Sequence, residues 1–294
     1  MKNIGVVIPV YNQALPLLCT LHGFMNQNIS LEHFKIVVVD DGSTEDIETI
    51  CNLFRTKLDI TYIRIIKSGR SISRNEGVRK LKDSDIITFC DADRIPVPGF
   101  LQNHLFSHEK SEEDSIVIGN IKDLYLSDPW NNMTKIFNSY FTLKGLRTPQ
   151  YSKLVYKLFD EKGESISNVP WLATFSGNMS IRLDLFKKLK GFDPDFRHWG
   201  FEHFELGYRA YKLRTPFAYN AKATNIHISH SRYSYKNDMG ESHRIFYKKH
   251  PFSEIKNIKK FMNGEMSLNE FNQLSEGNEN KRNLPDEYVK ITNF

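Results

Sequence analysis

The sequence predicts an α/β fold in which a mostly parallel sheet is flanked by helices on both faces. Three observations predict it. Over residues 1–100, short apolar runs alternate with segments whose apolar residues recur at helical spacing. Each run is apolar at consecutive positions, as in strands that are covered on both faces. Polar residues follow each run, at the edge where parallel strands of such a sheet end together and form a ligand site.

The first part of the chain contains four of these apolar runs with three helical segments between them. Pro9 lies near the end of the first run, where a strand tolerates proline. The last run leads directly into Asp91 and Asp93. Strands are predicted at 4–10, 35–40, 59–66 and 85–90, and helices at 14–27, from a cap near 43–44 to 54, and at 71–82.

The second part of the chain is less regular. Residues 121–170 break the alternation, and their scattered aromatic and charged residues fit either a helical insertion that covers the sheet or a mobile segment that shapes a substrate site. The remaining predictions are strands at 116–120 and 171–181, helices at 183–190 and from 201 onward, and an extended segment at 225–232. Gly191 is expected to end the helix that precedes it.

The C-terminal part turns basic and polar from residue 248. A helical segment is predicted from Ser253, and Ser267 and Glu270 have the spacing of a capping box for another helix. Residues 276–294 are rich in Asn, Glu and Lys, which predicts a loosely held tail.

Composition narrows the class of protein. The 294 residues carry 40 Lys and Arg against 35 Asp and Glu, a net charge of +5 that is spread along the chain. No basic cluster with interleaved aromatic residues is present, which disfavours nucleic-acid binding. The three cysteines are far apart in apolar contexts and are interpreted as buried thiols of a reducing compartment. No apolar stretch reaches the roughly 18 residues of a membrane span, so we expect a cytoplasmic protein without a transmembrane segment.

Polar and aromatic residues that follow the predicted strands should gather on one edge of the sheet. An aromatic ring, carboxylates and guanidinium groups together suit a nucleotide, with a face for the base, acceptors for its N–H and ribose donors, and cations for phosphate. Asp91 and Asp93 can ligate Mg²⁺ or Mn²⁺, although a surface turn would use the same residue types. Individually, each residue also has an ordinary structural interpretation as core, turn or solvated helix. The residues are Tyr11, Asp40, Asp41, Arg70, Arg74, Asp91 and Asp93.

Four segments in order carry a resemblance to a known family. They are residues 7–12 (VIPVYN), 38–43 (VVDDGS), 69–75 (GRSISRN) and 91–93 (DAD), and together they resemble the motif set of family 2 glycosyltransferases of the GT-A fold, which is Rossmann-like. The resemblance implies that Tyr11 stacks near a uracil, Asp41 accepts from its imide N–H, and Asp91 lies near the ribose. It also implies that Asp93 ligates the metal. Pro9, Arg70 and Arg74 lie within these motifs and are assigned to the donor site with them.

The second half of the chain extends the resemblance. Residues 199–203 (WGFEH), preceded by 175–180 (FSGNMS), resemble the Trp-Gly-x-Glu-Asp segment of the β-1,4-galactosyltransferase and chondroitin-polymerase branches. In those branches the acidic pair binds the acceptor and supplies the general base. Here the second member is His203, so the base is either Glu202, which we favour slightly, or His203, whose imidazole can take a proton near neutral pH. Loss of the base is the third alternative.

Two histidines complete the expected metal site. Residues 225–232 (NIHISHSR) resemble the segment of β-1,4-galactosyltransferases in which a residue three positions before His-Ser-Arg, and that His itself, join the aspartate on Mn²⁺. For this sequence, the resemblance implies that the metal ligands are Asp93, His230 and His227. Because family 2 relatives usually supply one His, His230 alone is the alternative.

The sequence therefore predicts a glycosyltransferase that depends on Mn²⁺ or Mg²⁺ and moves a hexose or N-acetylhexosamine from a UDP-sugar to a saccharide, peptide or small-molecule acceptor, with inversion expected from the family. The predicted organisation is a catalytic domain at 1–250, with a nucleotide-sugar-binding half (1–120), an insertion (121–170) and an acceptor and metal half (171–250). A helical extension and flexible tail follow at 251–294. A nucleotidyltransferase-like enzyme and a non-catalytic nucleotide-sugar-binding module are the rival interpretations.

Overall fold

Eight strands form a single mixed sheet. The computed structural model describes residues 2–110, 113–197, 200–229, 235–275 and 284–290. The order of the strands across the sheet is β3-β2-β1-β4-β7-β6-β8-β5. They are β1 (Ile4–Val10), β2 (Phe34–Asp40), β3 (Ile60–Arg64), β4 (Ile86–Cys90), β5 (Arg94–Pro96), β6 (Ile116–Tyr125), β7 (Asn178–Arg182) and β8 (Phe217–Ser229).

Helices cover both faces of this sheet. The α-helices are α1 (Ala14–Met25), α2 (Ile47–Phe54), α3 (Arg70–Arg79), α4 (Phe100–Glu109), α5 (Met133–Thr142), α6 (Gln150–Val155), α7 (Leu183–Lys188), α8 (Glu202–Lys212), α9 (Tyr235–Lys249), α10 (Ser253–Met262) and α11 (Leu268–Leu274). Short 3₁₀ turns lie at Leu31–His33, Trp130–Asn132, Tyr156–Leu158 and Pro170–Ala173.

The four strands β3, β2, β1 and β4 are parallel neighbours, as the sequence predicts. Successive residues of β1 enter different cores: Val6 and Ile8 pack in the cluster that contains α1 and α2, whereas Val7 packs in the cluster on the opposite face. Because both faces are covered, every residue of β1 is buried, which explains its uninterrupted apolar run.

The other half of the sheet contains antiparallel pairs. Strand β7 pairs antiparallel with both β4 and β6, β8 runs parallel to β6, and the short β5 runs antiparallel to β8. Strand β5 follows directly after the turn 91–93. Its first residue, Arg94, pairs with His227 of β8. The carboxyl end of β4 and the end of β8 therefore meet.

The C-terminal helices share the larger core. The ring of the fully buried Trp171 packs edge-on against Phe204 of α8, Phe246 of α9 and Phe271 of α11. Residues 284–290 are held against the same core by Leu284 and Val289, both buried, so this piece differs from the loose tail expected for 276–294. Residues 276–283 and 291–294 lie outside the described ranges.

Several local predictions are confirmed and others need correction. The capping box at Ser267 is present, and Gly191 follows α7 with a positive φ of 72°. Helix α2 begins later than predicted, because Asp46 accepts from the Thr49 N–H at 3.0 Å and caps it, whereas Ser43 belongs to the turn before it. The strand predicted at 171–181 is confined to β7, since 170–173 form a 3₁₀ turn.

The ambiguous region 121–170 contains the end of a strand, two α-helices and two 3₁₀ turns, joined by loops. Strand β6 continues through Tyr125, after which α5 packs on the cluster containing Leu124 and Ile226, and α6 packs in the larger core. All three cysteines are free and buried, as expected. Among the described helices, none has the length and apolar content to cross a bilayer.

Candidate active site

Loops at the carboxyl ends of β1, β2, β3 and β4 are linked to one another by hydrogen bonds. The side-chain oxygen of Asn12 accepts from the Thr44 N–H at 2.7 Å, which joins the first loop to the second. Gln13 donates through Nε2 to Oδ2 of Asp93 at 3.0 Å, which joins the first loop to the end of β4. The structure thus brings the predicted donor-site loops together on one edge.

Asp41 ties the second loop to the third. Its Oδ1 accepts from the Ser68 N–H at 2.7 Å and its Oδ2 from the Gly69 N–H at 2.9 Å. A carboxylate oxygen has two acceptor positions, so these bonds fix the orientation of Asp41 and leave it able to accept again. Gly69 has a φ of 93°, and a Cβ there would lie 2.8 Å from the carbonyl oxygen of Arg197, so glycine is required at this position.

Asp40 and Pro9 are placed differently from the other predicted residues. Asp40 is fully buried and accepts from the Ser43 N–H at 2.8 Å and from the Tyr62 hydroxyl at 2.8 Å, so it stabilises the turn. Pro9 is buried within β1, opposite Val39 of β2. Both shape the loops that follow them.

Tyr11 is the most accessible aromatic side chain of this edge. Its exposed fraction is 39%, and Lys67 Nζ lies 3.9 Å from the centre of its ring, in a cation–π contact. An exposed ring at the end of β1 is available to stack on a base. Arg70 begins helix α3 at the neighbouring loop and is partly buried.

Arg74 is fully buried and joins the two halves of the site. Its Nη2 donates to Oδ1 of Asp91 at 2.8 Å, and its Nη1 donates to Oε1 of Glu202 at 3.2 Å. Burial alone would raise the pKa of Asp91, but Arg74 and Arg94 outweigh that effect and hold this pKa below its ordinary value. Arg74 could therefore affect a ligand at this edge only through Asp91, because its own side chain has no exposed surface.

The end of β4 meets β8 at Asp93 and His227. Their closest atoms, Oδ2 and Nε2, are 3.6 Å apart, and both residues are buried. On the far side of the imidazole, Nδ1 of His227 lies 3.0 Å from Oδ1 of Asp123 in β6. A carboxylate accepts there from Nδ1–H, which orients the ring and directs Nε2 toward Asp93.

This donor set fits a divalent metal that is completed by a ligand. Mg²⁺ and Mn²⁺ are usually held by one or two protein groups together with phosphate oxygens and water. Asp93 and His227 supply one oxygen and one nitrogen, and Asp123 provides the carboxylate behind the histidine that metal-bound imidazoles commonly have. Within the described residues, no cluster of three His, Cys, Asp or Glu side chains could hold a metal alone. His230 lies outside those residues.

The first turn of α8 forms the opposite wall of the site. Phe201 precedes the helix with a φ of 67°, and Glu202 is 3% exposed. Burial would raise the pKa of Glu202, but His203 and Arg74 lower it well below its ordinary range. The side chain of His203 is 17% exposed, with Nδ1 3.6 Å from Oε1 of Glu202. Trp199, which the sequence grouped with these residues, is outside the described ranges.

Sequence reasoning missed four residues of this site. Asp123 interrupts the apolar pattern of β6, which is the signal that could have identified it. Gln13 and Arg94 each directly follow a recognised motif and could have been included with it. Gly177 lies in the segment 175–180 but was given no role, and a Cβ there would lie 2.6 Å from Oδ2 of Asp91.

The chain is similar to known glycosyltransferases in sequence and in fold. Residues 5–189 match the family model described as glycosyl transferase family 2. The chain is 27% identical over 242 residues to a validoxylamine A glucosyltransferase of Streptomyces hygroscopicus subsp. jinggangensis, covering 78% of this chain and 56% of that protein. It is 30% identical over 233 residues to a chondroitin synthase of Pasteurella multocida, covering 71% of this chain and 23% of that protein. The chain thus spans about half or less of the length of these relatives.

A solved structure shows the same fold. The crystal structure of GalNAc-T7 with UDP, GalNAc and Mn²⁺ aligns with a TM-score of 0.63 at 16% identity, covering 89% of this chain and 50% of that chain. At this identity the likeness establishes the fold, and the predicted GT-A architecture is confirmed.

Proposed function

Because the chain belongs to glycosyltransferase family 2, we propose that it transfers a sugar from a UDP-sugar to an acceptor hydroxyl in a reaction that depends on Mn²⁺ or Mg²⁺. The observation that carries this proposal is the pairing of Asp93 with His227, backed by Asp123, at the edge where the donor loops meet. Buried carboxylate and imidazole groups in this arrangement suit an ion that also binds a diphosphate. The acceptor class is a saccharide, a peptide or a small molecule.

The donor nucleotide is assigned to the loops after β1 and β2. Tyr11 would stack on the uracil with its exposed ring, and Asp41, whose orientation is fixed by two backbone N–H groups, would accept from the imide. Asp91 is held in place by Arg74 and would accept from the ribose hydroxyls. Arg70 lies at the start of α3, where both its charge and the helix terminus favour a phosphate.

Asp93 and His227 would hold the divalent ion, and His230 is a third candidate ligand from outside the described residues. When bound, the ion stabilises the negative charge that develops on the leaving diphosphate. Asp123 keeps the imidazole of His227 in the orientation that this requires. Gln13 donates to Asp93 and so holds the first loop against this proposed metal ligand.

For the general base we propose His203, which reverses the slight preference for Glu202 drawn from the sequence. Glu202 is buried, its Oε1 faces Arg74, and its lowered pKa makes it a poor proton acceptor. His203 is adjacent and more exposed, so its imidazole can reach an acceptor hydroxyl. Proton removal by His203 during in-line attack would invert the anomeric centre.

A variant pair separates the two base assignments. His203→Asn should lower kcat by about 10²–10⁴-fold, the usual contribution of a general base. Glu202→Gln should act mainly on stability and on KM. The assignment is wrong if Glu202→Gln abolishes turnover while His203→Asn, equally well folded, retains it. The anomeric configuration of the first product, read by proton NMR, tests inversion.

A thermal-shift panel tests the donor site itself. UDP, GDP, CDP and dTDP are each added with Mn²⁺, with Mg²⁺ and with EDTA. A ligand present at about 100 times its Kd stabilises the folded state by about 2.7 kcal/mol, enough to raise the melting temperature visibly. We expect a rise with UDP that requires the metal, and no rise with any nucleotide would contradict the proposal.

A further inference from the structure

Three charged or metal-binding side chains form a row across the sheet beside the metal site. In the pairing of β5 with β8, Arg94 lies opposite His227, and in the pairing of β6 with β8, Asp123 lies opposite the same His227. Residues directly opposite each other on neighbouring strands point to the same face of a sheet. Arg94 is therefore the cross-strand neighbour of the proposed metal ligand, on the side away from Asp123.

The guanidinium group of Arg94 is packed into the site. Its side chain is 15% exposed, and its Nε lies 3.5 Å from Oδ2 of Asp91. It runs over Gly177, where a Cβ would come within 2.3 Å of the Arg94 Nε. Only glycine at 177 leaves room for the guanidinium group to lie against this wall.

Charge, not hydrogen bonding, explains this position. Among the described residues, Nε and Nη1 of Arg94 are buried and donate no hydrogen bond. Burial lowers the pKa of Arg94, but the carboxylates of Asp91, Asp93 and Asp123 outweigh it and raise that pKa. Arg94 is thus a permanent cation among the carboxylates that would attract a metal ion.

Arg74, the other buried arginine, cannot have the same role. Its two terminal nitrogens are committed to Asp91 at 2.8 Å and to Glu202 at 3.2 Å. Arg94 approaches the other carboxylate oxygen of Asp91, Oδ2, and lies opposite His227. A divalent cation entering between Asp93 and His227 would therefore approach Arg94 in a partly desolvated environment, where like charges repel strongly.

We propose that Arg94 is an internal counter-cation that weakens metal binding to the free protein and makes tight binding depend on the donor diphosphate. The negative charges of the diphosphate offset the repulsion between Arg94 and the metal, so ion and nucleotide bind together. This inference rests on the proposed function, because it assumes the metal at Asp93 and His227. It predicts that Mn²⁺ and the donor nucleotide each tighten the binding of the other. By thermodynamic linkage, both affinities change by the same factor.

The experiment measures Mn²⁺ affinity from the electron paramagnetic resonance signal of the free ion, using the full chain with and without UDP. In the unmodified protein, UDP should tighten Mn²⁺ binding by about tenfold or more, within the usual range for coupled sites. Arg94→Met should tighten Mn²⁺ binding without UDP by a similar factor of about ten and reduce the coupling. Arg94→Lys, which retains the charge, should behave like the unmodified protein.

Controls separate the charge effect from damage to the fold. Arg79→Met removes a cation from the exposed end of α3 and should leave Mn²⁺ affinity unchanged. If Arg94→Met does not fold, Arg94→Gln removes the same charge with a polar side chain and gives the same test. The inference is overturned if the neutral variants bind Mn²⁺ without UDP no more tightly than the unmodified protein, or if the Lys variant tightens binding equally. If UDP has no effect on Mn²⁺ affinity in the unmodified protein, the proposed function fails as well.

Discussion

Replacing Arg74 by methionine should destabilise the protein strongly, because it removes the cation that lies between the buried Glu202 and the half-buried Asp91. Arg74 has no exposed surface, and it lies 2.8 Å from Asp91 and 3.2 Å from Glu202. Methionine retains much of the volume of the side chain but neither of its donors. The variant thus tests the link between the end of β4 and the start of α8.

The size of the effect follows from burial. Removing one partner of a buried ion pair costs about 3–5 kcal/mol, because the remaining charge is neither solvated nor paired. For a domain of this size each kcal/mol lowers the melting temperature by about 2–4 °C, which gives a total decrease of about 6–20 °C. Arg94 still faces Asp91 at 3.5 Å, so most of the loss should arise at Glu202.

Thermal and urea unfolding measure the change, and a double-mutant cycle assigns it. Glu202→Gln in the Arg74→Met background removes the unpaired charge and should restore about 1–3 kcal/mol, the usual coupling of contacting residues. Arg79→Met, at an exposed ion pair, is the matched control and should cost about 1 kcal/mol or less. A loss below about 1 kcal/mol in Arg74→Met, or strict additivity in the cycle, would refute the reasoning.

Three further predictions concern other parts of the molecule. Asp123→Asn should weaken Mn²⁺ affinity in the presence of UDP by about 10–100-fold, since it removes the carboxylate behind the metal-binding imidazole; an unchanged affinity by electron paramagnetic resonance would contradict this. Gly177→Ala should weaken Mn²⁺-dependent UDP binding in calorimetry, because its Cβ would lie 2.6 Å from Oδ2 of Asp91, the carboxylate proposed to accept from the ribose, whereas Gly240→Ala, whose nearest neighbour is at 3.9 Å, should bind UDP normally. Burial lowers the pKa of His104 to about 4 and of His108 to about 3, so their contribution to the free energy of unfolding is complete above pH 6.5 and is lost as the pH falls from there toward 4. A double His→Gln variant at these positions should lose about 1–3 kcal/mol of this pH dependence between about pH 7 and about pH 5.5, measured by urea unfolding, and an unchanged slope would count against it.

The parallel half of the fold could be predicted because its signal is local. The residues of β1 are apolar at every position, and only a strand covered on both faces accommodates that pattern at this length. The same alternation placed Asp91 and Asp93 at a strand end. Helix α4 was not predicted, because two residues of its buried face, His104 and His108, are polar and interrupt the apolar pattern.

The charges of the site could not be predicted, because they depend on contacts between distant segments. Arg74 meets Glu202 across 128 positions of sequence, and nothing in helix α3 indicates that its arginine is fully buried. The preference for Glu202 as the base assumed that it is accessible, whereas the structure buries it against Arg74. Likewise, Asp123 supports His227 only because of the register between β6 and β8.

The measurement that tests the central claim most directly is the release of UDP from UDP-sugars. A donor is first shown to bind in the presence of Mn²⁺. Its turnover, with added saccharides or water accepting the sugar, is then followed with the unmodified protein and with Asp93→Asn at matched melting temperature. The account predicts that UDP is released with Mn²⁺, and that EDTA or the Asp93→Asn substitution abolishes the release. Release that persists in EDTA and in the variant would contradict the metal site, and a bound donor that is never turned over would contradict the proposed activity.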